Sequence, residues 1–170
     1  MAGIVRGAVS GYMNDEYKLE LKKVYDNCLY TAESHHIIAH RYQRLQRWLQ
    51  IIPAIVAALS GTLSAASVAD PFTTYLSAIS AIVTAIMTVV DPAKRHELHM
   101  GTAKSFTVLK QDADSLLLTF GPLMPQSELG AAVKSLHDRY NDLVLAAPPT
   151  DEKAFTKARE RIQAGLHDRE

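Results

Sequence analysis

The chain has 170 residues, 48% of them hydrophobic, with 18 basic and 18 acidic side chains and therefore no formal net charge. That length admits one compact unit with a small appendage and leaves no room for a second, enzymatic domain. Balanced charge argues against broad nucleic-acid binding, which normally shows a basic face, and the single cysteine, Cys28, excludes an intramolecular disulfide.

Met1 to Tyr12 holds Arg6, three glycines and small apolar residues without an apolar h-region or a cleavage pattern, so no removable leader is expected. Asp15 to Arg47 contains neither proline nor glycine. Leu21, Tyr25, Cys28, Ala32, His35, Ala39, Tyr42 and Leu49 recur at spacings of three and four, with Gln46 interrupting, which is the stripe of a helix packed along another. The helix runs on into the first of two uncharged stretches, Trp48 to Ala69 and Pro71 to Val90, separated by Asp70. Each has about the 20 residues that a helix needs to cross a bilayer core. Pro53 removes one backbone hydrogen bond and predicts a bend, not a stop. Asp70-Pro71 predicts an N-cap and first helical residue, hence a tight turn into a second span.

Asp91-Pro92 marks a bend or restart before a polar helix to about Phe120, in which Phe106, Leu109, Ala113, Leu116 and Phe120 again alternate by three and four. Gly121-Pro122 and Pro125 end it. Ser127 to Ala146 reads as a further helix with Leu129, Val133, Leu136, Tyr140 and Leu143 on one side. After Pro148-Pro149, Thr150 to His167 reads as a charged helix, loosely docked because it offers only Ala154, Phe155, Ala158 and Ile162 to bury.

The predicted fold class is all-α: a transmembrane helical hairpin continued by a cytosolic antiparallel stalk over 15–120, with additional C-terminal cytosolic helices over 121–170. Basic residues flank the spans, Arg41, Arg44 and Arg47 before the first and Lys94 and Arg95 after the second. By the positive-inside rule both termini are cytosolic. Trp48, with Tyr42, Arg44, Arg47, Lys94 and Arg95, is expected at the membrane interface. A soluble helical protein with buried apolar helices is the competing reading; the hydroxyls within the spans suit either, since they can bond back to helix carbonyls.

The stretch Tyr30 to Leu116 resembles the SLATT family, the SMODS- and SLOG-associating two-transmembrane effectors of prokaryotic conflict systems. The resemblance rests on His40-Arg41-Tyr42 with Leu45, on Ile51-Ile52-Pro53, and on Leu59-Ser60-Gly61-Thr62-Leu63. It rests further on Asp91-Pro92-Ala93-Lys94-Arg95 with His99, Phe106 and Leu109. Phe106 stands where the resemblance leads one to expect tyrosine in many relatives, so a role for that hydroxyl does not carry over. The resemblance stops short of Gly121. It implies an effector that assembles in the inner membrane and breaches it when a nucleotide-signalling or other sensor protein reports infection. A non-permeabilising scaffold that recruits a partner through its cytosolic helices is the alternative.

A pore built from two-helix subunits requires a homo-oligomer, because one hairpin cannot enclose water without exposing polar groups to lipid. Ala57, Gly61 and Ala65 on the first span and Ser77, Ala81 and Ala85 on the second are small residues four apart, suited to packing within the hairpin or between subunits. Ser80, Thr84 and Thr88 form a hydroxyl line offset from that stripe. They would line a narrow aqueous path or bond to their own helix.

His36 and His40 on the first arm and His96 and His99 on the second can meet at similar depth. At 1.5 Å rise per residue, His40 lies about 12 Å before Trp48, and His96 and His99 about 8 and 12 Å beyond Asp91. A zinc clip would need four nitrogens at about 2.0 Å; a pH-sensitive stalk would need only that protonation repel the arms. Ordinary interfacial histidines are the simpler reading. No phosphate loop or catalytic motif is present, so no enzyme activity, catalytic residue, metal or cofactor is expected.

Overall fold

The computed structural model describes residues 14–65 and 71–165, the side chains of 63–65 and 71–73 excepted. The expected Asp70 cap, the tip of the hairpin and the side chain of Ala65 lie outside the described residues. All regular structure among the described residues is helical. In chain order it comprises α1 (Asp15–Ala65), α2 (Pro71–Val90), α3 (Pro92–Ser115), a π-helical turn (Leu116–Phe120), a 3-10 turn (Gly121–Leu123), α4 (Gln126–Ala146) and α5 (Glu152–Gln163). The all-α class is therefore as the sequence predicts, and α1 passes through Pro53 without ending.

The described residues of Met1–Ser34 and Thr102–Glu170 form one compact unit, and His35–Gly101 forms a second. In the first unit, α1, α3 and α4 share a core. Leu21, Val24, Cys28 and Ala32 meet Phe106, Leu109 and Ala113, with Leu129, Val133 and Leu136 closing the third side. Phe106 is fully buried and takes the ring of Tyr140 edge-on, 6.2 Å between centroids. The absence of a hydroxyl at position 106 thus suits a site with no room for water. At Gly130 the Tyr17 side chain of α1 packs close against α4: a Cβ there would lie 3.0 Å from the Tyr17 hydroxyl. Arg139 Nη1 donates to Asp112 Oδ2 at 2.8 Å, joining α4 to α3 at the surface.

The polar arm ends in a way that periodicity does not show. Regular α-helix stops at Ser115 and the chain widens into the π turn, which Gly121 N–H closes by donating to the Leu116 carbonyl. Pro122 has no N–H to continue that pattern, so the 3-10 turn follows.

The last helix is held more firmly than its few large apolar residues suggest. Asp151 caps α5 by accepting from the Ala154 N–H, and Ala154 and Ala158 are fully buried. Arg161 Nη1 donates to Glu33 Oε1 of α1 at 2.7 Å, and the Glu33 side chain is only 10% exposed. The alanines bring α5 close enough for its arginine to reach a carboxylate inside the first unit. That partner lies far away in sequence, which is why the helix read as loosely docked.

Candidate functional site: the apolar groove and the histidine pair

The second unit holds the uncharged stretches, and its large apolar side chains face outward. Trp48 is 62% exposed, Ile82 59% and Val89 84%; Ile51, Ile55, Leu59, Tyr75, Ile79 and Ile86 are exposed as well. Among the described residues one helical run, Thr74–Leu123, contains a window long and apolar enough to cross a membrane, and almost none of that window is buried within the protein. Core helices of water-soluble proteins hide such residues. An apolar belt of this size left outside marks contact with lipid or with other protein.

Between α1 and α2 runs an open groove of about 730 Å³. Val56, Ala57 and Ser60 form one wall, and Ser77, Ser80, Ala81, Thr84, Ala85 and Thr88 the other. The small-residue line and the hydroxyl line of α2 therefore share one groove, instead of serving separate faces. Gly61 stands apart: it is exposed, and a Cβ built on it meets nothing within 4 Å. Three of the groove hydroxyls are satisfied locally. Thr84 Oγ1 donates to the Ser80 carbonyl at 2.9 Å, Thr88 Oγ1 to the Thr84 carbonyl at 3.0 Å, and Ser60 Oγ to the Val56 carbonyl at 2.8 Å. Hydroxyls bonded in this way can face a low-dielectric medium without an orphaned donor.

The basic residues gather at the polar end of these stretches. Arg44, Arg47, Lys94 and Arg95 are all exposed. Asp91 adopts a left-handed backbone, φ 42°, and its Oδ1 accepts from the Lys94 N–H at 3.2 Å, ending α2 and starting α3. Arg95 Nε donates to the Val90 carbonyl at 3.0 Å, satisfying one of the carbonyls that a helix end leaves open. Its guanidinium lies over the Tyr42 ring at 5.8 Å, which sets the basic clusters of α1 and α3 at one level.

A histidine that the spacing did not single out, His35, lies in the buried pair with His99. His99 meets His35: the two Nδ1 atoms are 2.9 Å apart, and both side chains are buried. One ring donates its Nδ1–H and the other accepts. Tyr42 stacks on His99 at 5.9 Å between ring centroids, and His96 Nδ1–H donates to the Ala39 carbonyl at 2.9 Å. His40 is exposed and pairs with Gln43 of its own helix at 3.4 Å. The reason is register. His35 belongs to the stripe of α1 that includes Ala39 and Tyr42, whereas His36 and His40 lie one position round the helix. That stripe was legible; choosing histidines by their mutual spacing passed over it. Burial, then the neighbouring His99 and His36, depress the His35 pKa to about 4. Among the described residues no group of three or more His, Cys, Asp or Glu side chains comes together in a way that could hold a metal ion.

These features define a class: an all-helical protein with a membrane-length apolar helix whose lipid-compatible side chains face outward. The model of the SMODS and SLOG-associating 2TM effector domain family 4 matches residues 18–167, and the chain belongs to that family. The match runs well past Gly121 and takes in α4 and α5, so the resemblance read from the hairpin alone was drawn too short. No curated protein and no solved structure matches the chain.

Proposed function

We propose that this protein is an oligomeric membrane effector that opens or disrupts a path across the inner membrane in an antiphage or other self-limiting response. The observation that carries the reading is the outward apolar belt around the groove of Ala57, Ser77, Ser80, Ala81, Thr84 and Thr88. Transfer of a large apolar side chain out of water contributes about 1.5–3 kcal/mol, and the belt holds many of them. In this reading both uncharged stretches span the bilayer, Arg44, Arg47, Lys94 and Arg95 stay on the cytosolic side, and both termini are cytosolic. Residues 15–120 supply hairpin and stalk, and 121–170 the C-terminal cytosolic helices. The open groove and the uncovered Gly61 suit contact with further copies of the chain. A separate sensor protein would supply the signal, and no catalysis, cofactor or nucleic acid enters.

Dye and ion release from liposomes containing the purified protein tests this, with oligomer mass measured in the same detergent preparation. Release by a defined oligomer is the expected result. A second reading, a non-permeabilising scaffold, is favoured by one observation: the Thr84 and Thr88 hydroxyls of the groove already bond to their own helix. An inserted protein that releases neither solute, even with its sensor present, would establish the scaffold in its place.

A further inference from the structure

We propose that a cleft in the first unit, between α1, α4 and α5, is a binding site for a small planar aromatic anion. The cleft encloses about 360 Å³, at the lower end of the range for small-molecule sites. Its walls come from regular helix positions. Phe155, Arg159 and Gln163 follow each other at intervals of four along one face of α5, Asn27, Tyr30 and Thr31 share a face of α1, and Tyr140 of α4 closes the third side.

Two properties separate this cleft from ordinary surface. The first is aromatic area left uncovered: the rings of Tyr30 and Phe155 lie 6.1 Å apart at 34°, and Phe155 is 48% exposed although its neighbours Ala154 and Ala158 are fully buried. The second is unspent polar capacity. Arg161 is paired with Glu33 and Arg139 with Asp112, whereas Arg159 makes no ion pair among the described residues. The side chains of Asn27, Thr31 and Gln163 make no hydrogen bond among the described residues either. The walls are pre-formed, because the buried alanines and the Arg161–Glu33 pair already hold α5 against α1.

The complement of such a cleft is a ring that stacks on Tyr30 and Phe155, polar edges that meet the two amides and the Thr31 hydroxyl, and one anionic group on Arg159. A guanidinium offers a phosphate or carboxylate two parallel donors, and stacking tolerates many ring systems. Nucleoside monophosphates and aromatic carboxylates share this chemistry. A peptide helix is too large for the volume.

Binding to the full chain in detergent is measured by calorimetry, with adenosine 5′-monophosphate and indole-3-acetate as the two ring-plus-anion probes. Adenosine serves as ring without anion, and inorganic phosphate as anion without ring. Saturable binding of at least one ring-plus-anion probe is expected, about tenfold or more tighter than either half alone. Arg159→Gln and, independently, Phe155→Leu should each weaken it about tenfold, with melting temperatures unchanged because both side chains stand at the surface. The probe that binds distinguishes phosphate from carboxylate. No binding of either probe at roughly millimolar concentration, or equal binding by Arg159→Gln, overturns the assignment. The readout is occupancy of the cleft and is independent of membrane release.

Discussion

Mild acid should loosen the second unit through the buried His35–His99 pair. At neutral pH one Nδ1–H donates and the other Nδ1 accepts; a second proton would set two donors face to face at 2.9 Å. His36 adds to the depression, Tyr42 stacks on His99, and the Arg95 guanidinium lies over the Tyr42 ring. His35 titrates at 6.5 when unfolded and at about 4 when folded. The unfolded chain therefore takes up the proton first, and stability is lost as pH falls from 6.5 through about 4. The loss from this one group amounts to about 2 kcal/mol by pH 5 and about 3 kcal/mol by pH 4. For a chain of this size, 2 kcal/mol corresponds to about 4–8 °C in melting temperature. Thermal unfolding in detergent at pH 7.5 and 5.0, followed by circular dichroism, measures it. His35→Gln keeps a polar partner for His99 but does not titrate, so its pH-dependent loss should be smaller by most of that amount. If His35→Gln loses as much as the wild type, the pair is not the acid-sensitive element. His40→Gln serves as control, because that ring is exposed and paired only with Gln43 of its own helix.

Three further outcomes are expected. Burial pushes the Cys28 thiol up to about 12, so it should resist a thiol reagent at pH 8 in the folded protein and react at once in denaturant; fast native labelling would contradict the packing of the first unit. Arg161→Ala removes the ion pair that ties α5 to the Glu33 carboxylate and should cost about 2 kcal/mol in urea unfolding, less than a fully buried pair because Arg161 is half in water, whereas Glu33→Leu with Arg161→Leu should recover most of it. Gly61→Ala should be accommodated without loss because a Cβ there meets nothing, while Gly61→Leu should reduce oligomer mass and solute release. Should Gly61→Leu and the combined Ser80, Thr84 and Thr88→Leu variant both assemble and release solute normally, the pore reading loses the residues it depends on.

Much of the architecture is local and was therefore legible. The unbroken run from Asp15, the spacing of Leu21, Cys28 and Ala32, and the Gly121-Pro122 stop follow from helix period and backbone chemistry within one segment. The uncharged stretches and their basic flanks needed only composition. The family, too, was visible in the segments around Pro53 and Asp91, although its extent to residue 167 was not.

What the sequence determined by itself is what repeats along a single helix: the all-α class, the faces to be covered, and the apolar length that demands a non-aqueous surround. What only the tertiary structure decided is which faces meet. His99 with His35, Arg161 with Glu33, and the shared groove of Ala57 and Ser80 are pairings between distant segments, each set by the rotation and depth of one helix against another. A shift of a single residue turns a helix by about 100°, so spacing along one helix cannot choose between His35 and His36. Packing of the neighbouring side chains makes that choice.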